Sequence, residues 1–512
     1  MSLEKDRQMN ATRIAGLLIA LAACSSTTTT ADNGGNTSDG GTSTSPSGND
    51  AGPIVVPAAC DLAADPKDSP ACVSDDVALF VDGRAGNDAS AGTRDLPFKT
   101  ITAALGKLGN RPRIYICGDT VLDEAVKLDG DAAASLYGGY SCVDWNYVGT
   151  PATVAPSAPG FALRISTSRS GLVVSDLAFR AKDGVAAGES SIAVFALSSL
   201  PVTLRRVVVT AGKGVAGVDG TPTIADMTTS GPAGVTGKAT TNPLCPASIG
   251  AGPFMAGQPS VNPAYPSTST GASGTELPIG HGCTSGSPGS YGTAGGSGSG
   301  SAAAGAIDDA GWRSGDGLAG GRGGDGQGGG GGSTSYTDPA DTPGTPGGGS
   351  PGGCGGEGGS AGHGGGASIA VLASHALVVL DSARLITSEG GRGGAGGKGQ
   401  KAQLSSTFYP PSSDGSACYG AGGGIGGSGG GGGGGAGGLS VGILHDGTAP
   451  TINGTTTSDA DTAPGIALGA AGSAGRRGSG GDPAQLTGIA SRAGLPGSDG
   501  AYGQEKAVLG IP

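Results

Sequence analysis

Ser191-Ile192-Ala193-Val194-Phe195, Ser368-Ile369-Ala370-Val371-Leu372 and Ser440-Val441-Gly442-Ile443-Leu444 are three echoes of one apolar pattern. Each is followed at a similar interval by a second short run: Val202-Thr203-Leu204, Val378-Val379-Leu380 and Thr451-Ile452. An earlier relative is Val173-Val174-Ser175, preceded by Ala162-Leu163-Arg164-Ile165. Strands this short cannot bury their faces alone, whereas stacked at ~4.8 Å they share one core. The repetition therefore predicts an all-β chain, a parallel β-helix in which each echo is one coil.

Between the echoes lie long Gly-rich stretches that leave from one corner, just after the second run. Gly352-Gly353-Cys354-Gly355-Gly356-Glu357-Gly358-Gly359-Ser360 and Gly390-Gly391-Arg392-Gly393-Gly394-Ala395 keep a period of three. That period suits a polyproline-II-type helix of three residues per turn. With two glycines per turn, neighbouring helices can approach and exchange backbone hydrogen bonds, so the runs are expected to pack as a polyglycine-II layer. The rival expectation is a flexible Gly/Ser linker. The runs resemble the glycine-rich PGRS repeats of mycobacterial surface proteins, a likeness of composition.

Of 512 residues, 109 are glycine, 4% are aromatic and 14% are charged. Large apolar side chains supply most of a globular core, so this composition argues against a compact α/β or helical enzyme. Collagen is excluded because glycine falls short of one in three. A net charge of −12 repels nucleic acid and anionic polymers, and nucleic-acid binding is set aside.

The beginning reads as an export signal. Arg13 supplies positive charge, Ile14 to Ala22 form a short apolar run, and Leu21-Ala22-Ala23-Cys24 resembles a bacterial lipobox. In that reading Cys24 is lipidated, Met1 or Met9 is the start, and the protein is held at the outer membrane by a lipid anchor. Eight further cysteines remain, an even number in an exported chain: Cys60, Cys72, Cys117, Cys142, Cys245, Cys283, Cys354 and Cys418. Sequence proximity suggests Cys60 with Cys72, Cys117 with Cys142, Cys245 with Cys283 and Cys354 with Cys418. No C-x-x-C pair exists, and His281, His363, His375 and His445 lack zinc-ligand spacing, so no metal site is expected.

Phe80 to Leu105, FVDGRAGNDASAGTRDLPFKTITAAL, reads as a strand, a turn-rich loop and a short helix. It resembles the opening segment of secreted bacterial right-handed parallel β-helix proteins similar to the pectin-lyase-like superfamily. The resemblance implies that this strand and helix cap a solenoid. It says little about function, since such openings occur in lyases, hydrolases and adhesins. The chain is thereby divided into a signal peptide at 1–23, a Ser/Thr/Gly-rich tether at 24–52, and a cap with first coils at 53–150. Coils follow at 151–211, 367–389 and 439–464, separated by Gly-rich segments at 212–366, 390–438 and 465–512.

Aligning the second runs on Val173, Val202 and Val378 puts Asp176, Arg205 and Asp381 in one column, with Asn453 next. Such a column could be an acid/base pair poised by a cation, as polysaccharide cleavage requires, or an outward ion ladder. Trp145 and the nearby tyrosines read as a sugar platform or as core. Asp82, Asn87 and Asp88 could bind calcium, but turn-forming Asx residues suffice, and no cofactor is expected. The function expected from these features is a non-enzymatic cell-surface lipoprotein, a structural or adhesive module touching polysaccharide or another surface polymer. The alternative is a polysaccharide lyase or glycoside hydrolase.

Overall fold

The computed structural model describes residues 55–512, apart from 131–133, 167–170, 200, 222–224, 254–281, 335–343, 407–416, 487–488 and 491. The segments expected to be a signal peptide (1–23) and a tether (24–52), with Cys24, and His281 lie outside the described residues. The segment Ala51–Pro512 is one compact unit. No described helix is long and apolar enough to cross a membrane.

The described strands form six sheets. The largest runs through Ala78–Val81, Arg113–Cys117, Ser135–Tyr140, Leu172–Ser175, Val202–Arg205, Val378–Asp381 and Thr451–Ile452, and ends on Thr455–Thr456. A second takes Val126–Asp129, Leu163–Ser166, Ser191–Leu197, Ser368–Ser374, Ser440–Asp446 and Glu505–Ile511. A third takes Val121–Leu122, Ala152–Val154, Leu177–Arg180, Val208–Thr210, Arg384–Ile386 and Ile466–Ala467. Neighbours in these sheets pair in parallel, except that Thr451–Ile452 meets Thr455–Thr456 antiparallel. The three echoes lie side by side, Ile192 opposite Ile369 and Ile369 opposite Val441.

Alternation explains what each sheet buries. In Val202–Arg205 the valine and leucine point into the main core, and the threonine and arginine do not. Ser191–Leu197 and Ser368–Ser374 are buried along nearly their whole length, as strands covered on both faces must be. Their second face carries Ile192, Phe195, Ile369 and Leu372, over which Trp312 is packed.

The simple pectin-lyase-like right-handed parallel β-helix expected from the sequence is corrected by this topology. The strands are distributed over distinct sheets of mixed order, and no one sheet continues as a solenoid. Three further two-stranded antiparallel sheets, such as Gly305–Asp308 with Gly311–Ser314, arise inside segments read as insertions. One physical reason is that each apolar run is broken by a left-handed bend. Asp176, Arg206, Ser382 and Asn453 have φ of 56°, 51°, 55° and 47°, and each separates a strand of the largest sheet from the next strand in the chain. Apolar periodicity does not report such single-residue bends.

The glycine-rich segments pack on this framework with hydrogen bonds at every third residue. Gly353, Gly356, Gly359 and Gly362 donate to the carbonyls of Gly424, Gly427, Gly430 and Gly433, while Gly326, Gly323 and Gly320 donate to those of Gly353, Gly356 and Gly359. A Cβ at Gly356 would collide with the Gln400 carbonyl, and one at Gly355 with that of Gly323. Close approach of three backbones is therefore what the two glycines per turn permit.

Four disulfides tie the unit together: Cys60–Cys72, Cys117–Cys142, Cys245–Cys354 and Cys283–Cys418. The pairing of Cys245 with Cys283 and of Cys354 with Cys418 is corrected. The Gly-rich chain doubles back, so bridges spanning 109 and 135 residues link successive passes instead of closing one.

Candidate functional site

A cavity of about 540 Å³ opens between the covered face of the second sheet and the glycine-rich body. The hairpin Gly305–Asp308/Gly311–Ser314 forms one wall. Gly311 lets it come close to the sheet, since a Cβ there would press on Ile192 and Phe161. Trp312 is thereby buried at 7% exposure, with Nε1 donating to Ser314 Oγ at 3.2 Å, and Ser314 Oγ donates in turn to the Gly365 carbonyl. Phe161 and Trp312 supply the apolar lining.

The lining also includes Arg313 of the hairpin itself and Glu189, Asp316 and His363. His363 is held by its backbone, its N–H donating to Val218 at 2.9 Å and its carbonyl accepting from Gly394 at 2.7 Å. Asp316 accepts from the Gly364 N–H at 2.8 Å through Oδ1, and its Oδ2 lies 3.4 Å from His363 Nδ1. With Nδ1 turned to the carboxylate, Nε2 is the nitrogen left for a ligand. Glu189 Oε2 accepts from the N–H groups of Val185 and Ala186, both at 2.7 Å. The cavity thus shares in its lining a carboxylate-oriented imidazole and a second carboxylate, residue types that proton transfer uses.

Sequence reasoning did not find this site. Asp316 and His363 are 47 residues apart inside a stretch read as a glycine insertion, and Glu189 lies in a loop. The one available signal was a histidine interrupting a period-three glycine run.

The residues singled out from the sequence form a different assembly. Val202 pairs with Leu172 and Val378, so the column is offset by one: Arg205 lies between Ser175 and Asp381. Asp176 moves to the bend, where it meets Arg206 instead. Arg205 Nε is 3.0 Å from Asp381 Oδ2, and Arg206 Nη2 is 2.7 Å from Asp176 Oδ2. Both arginines reach Asp65 Oδ2, at 3.4 Å and 2.8 Å. Burial alone would raise the Asp65 pKa, but the hydrogen bond and charge of Arg206 hold it below the ordinary aspartate value. The hydrogen bond that Arg206 donates to Asp176 raises the pKa of Arg206 in turn. Asp176 is further engaged by Tyr147 Oη–H and Ser175 Oγ–H, at 2.8 Å and 2.6 Å. Every member of this network has a partner, and the network fastens the segment around Asp65 to the bends of the largest sheet.

Trp145 packs with Phe80, Tyr115, Tyr137 and Tyr140 in a buried aromatic cluster. Burial pushes the Tyr115 pKa up to about 12. Asp82, Cys117 and Cys142 place potential ligand atoms within 4.8 Å of one another. The two sulfurs are joined in a disulfide, so neither is a thiolate, and Asp82 Oδ1 accepts from the Arg84 and Ala85 N–H groups as in an Asx turn. His445 is buried with Nε2 2.9 Å from the Ser458 carbonyl, and His375 Nδ1 lies 3.4 Å from Asp446.

Comparison with protein-family models, with curated proteins and with solved structures finds no match. The resemblance to the pectin-lyase-like family therefore gains no support. The expectation of a merely structural or adhesive, non-enzymatic module is also corrected. The described chain is a compact unit with an aromatic cluster, a connected ion-pair network and a cavity lined by acid/base groups.

Proposed function

We propose that the protein is a glycan-cleaving enzyme, a glycoside hydrolase working in the cavity around His363. The observation that carries this reading is the Asp316–His363 pair sharing with Glu189 the lining of a cavity with aromatic walls. Hydrolysis of a glycosidic bond needs one group to protonate the leaving oxygen and another to activate water. His363, oriented by Asp316, moves the proton, and Glu189 activates water. The volume falls within the ~300–1,000 Å³ usual for small-ligand sites. The net charge of −12 favours a neutral glycan over a polyanionic one, and so hydrolysis over elimination from a uronate polymer. The lipobox-like Leu21-Ala22-Ala23-Cys24 supports action at the membrane surface. Palmitate labelling that persists in Cys24→Ser would reject that placement.

The test is incubation of the full chain with a panel of neutral and acidic polysaccharides, reading reducing and unsaturated ends separately. Reducing ends are expected from a neutral polymer, falling roughly a hundredfold or more in Glu189→Gln and His363→Gln. Unsaturated ends would establish a lyase instead, and the absence of any product across the panel would overturn the enzymatic reading.

A further inference from the structure

A second, smaller cavity lies between the disulfide-bonded segment around Cys60–Cys72 and the loop after Cys142, on the outer side of the aromatic cluster. Its volume is about 210 Å³. That is below the ~300–1,000 Å³ of drug-sized sites and suits a single ring. Trp145 and Tyr140 form the buried floor, Tyr147 is half-buried, and Lys67, Arg94 and Asn146 stand exposed at the rim.

Two features set it apart. Among the described residues lining it there is no carboxylate, although the chain carries a net charge of −12. Acids stand close by, each engaged: Asp75 on the Arg94 N–H at 2.9 Å, Asp68 on Lys67 at 2.7 Å, Asp144 on Asn146, and Asp176 on Tyr147 and Arg206. Secondly, Trp145 sits at φ 57°, a left-handed conformation that a tryptophan rarely adopts. It is held there by its N–H donating to Ser141 and its Nε1–H donating to the Arg94 carbonyl, both at 3.1 Å. The indole thus fixes the backbone of Arg94, whose guanidinium uses Nη2 on the Asp144 carbonyl at 3.2 Å and keeps further N–H donors.

We propose that this cavity binds one anionic sugar ring, a uronate, with the carboxylate on Arg94 and the hydroxyls on Asn146 and Tyr147. The Arg94 guanidinium, with N–H donors unspent, answers the carboxylate, while the amide oxygen of Asn146 and the phenol oxygen of Tyr147 accept from a ring rich in hydroxyls. The assignment rests on this lining alone and is independent of the hydrolase reading.

Titration calorimetry on the full chain with sodium glucuronate, glucose and sodium acetate separates the outcomes. Glucuronate is expected to bind at least tenfold more tightly than either of the others. Arg94→Gln, at an exposed position, is expected to weaken it severalfold with an unchanged melting temperature. Equal binding of glucose removes the role of the carboxylate, and equal binding of acetate removes that of the ring. No binding of glucuronate, or full binding by Arg94→Gln, overturns the proposal.

Discussion

Arg206 grips Asp176 from the neighbouring bend, Nη2 to Oδ2 at 2.7 Å and Nε to Oδ1 at 2.8 Å, and both residues lie in the left-handed region. The fork geometry makes this a bidentate charge-assisted pair. It joins two adjacent strands of the largest sheet at the points where the chain turns out of it, and through Asp65 it fastens the N-terminal segment to them.

Loss of Asp65 should loosen that fastening. Asp65→Asn is expected to cost about 2 kcal/mol at neutral pH, the usual worth of a hydrogen bond to a charged group. The pH dependence follows from the lowered pKa. A carboxylate whose pKa is depressed in the folded state binds its proton more readily when unfolded, so its stabilisation is present above the unfolded value and is lost as pH falls through the folded one. Urea midpoints of the parent and of Asp65→Asn should therefore differ at pH 7 and converge below about pH 4. A constant difference down to the acid end would contradict the assignment.

The bends make a separate prediction. Ser382 has φ 55° and an exposed side chain, so relief or aggravation of backbone strain can be measured there with little change in packing. Ser382→Val should cost about 1–2 kcal/mol, because a β-branched residue is strongly disfavoured in the left-handed region, and Ser382→Gly should cost little or nothing. Equal losses from both would place the effect in the 3.2 Å contact between Ser382 Oγ and Asp381 instead.

Much of the framework could be read from the sequence because it rests on local patterning. Ser191, Ser368 and Ser440 begin runs whose apolar order is nearly the same, and they pair in register. The bends were not legible, since Asp176, Arg206, Ser382 and Asn453 share no residue type. The one-residue offset that separated Asp176 from Arg205 has a related cause. Leu172-Val173-Val174 is apolar throughout, and a continuous apolar run does not say which of its residues faces inward. The cavity was still less accessible, because Glu189, Asp316 and His363 are brought together only by the folding of glycine-rich chain whose partners are other glycines.

Those partners can be tested with a single methyl group. Gly356 faces the Gln400 carbonyl and donates its N–H to Gly427 at 3.0 Å. Gly356→Ala should force the two passes apart and cost about 1–3 kcal/mol, as overpacking does elsewhere. Amide exchange should rise at Gly397, Gln400 and Gln403, which donate to the carbonyls of Ser360, Glu357 and Cys354 on the pass of Gly356. An unchanged exchange pattern would mean that the close approach contributes nothing to order there.

The two long disulfides should hold the same body together. Closing a loop of about 100 residues is worth about 4.7 kcal/mol on chain entropy alone, and glycine-rich chain has unusually much entropy to lose. The Cys245→Ser/Cys354→Ser double variant is expected to lose protection from exchange in 212–366 while the three large sheets keep theirs. Uniform loss across the chain would show that the glycine body and the sheets unfold as one.

The Asp316–His363 pair makes the last prediction, and it separates a working dyad from two independent side chains. If Asp316 acts by orienting the imidazole, then removing His363 already removes whatever Asp316 contributes. Asp316→Asn and His363→Gln should each lower kcat on the glycan that the panel identifies, and the double variant should be little worse than His363→Gln alone. Independent contributions would instead multiply, giving the product of the two single losses. The exposure of both side chains, 58% and 56%, keeps the stability cost of either change small, so equal melting temperatures are expected across the cycle. A multiplicative result with intact folding would leave His363 in the cavity but take Asp316 out of its mechanism.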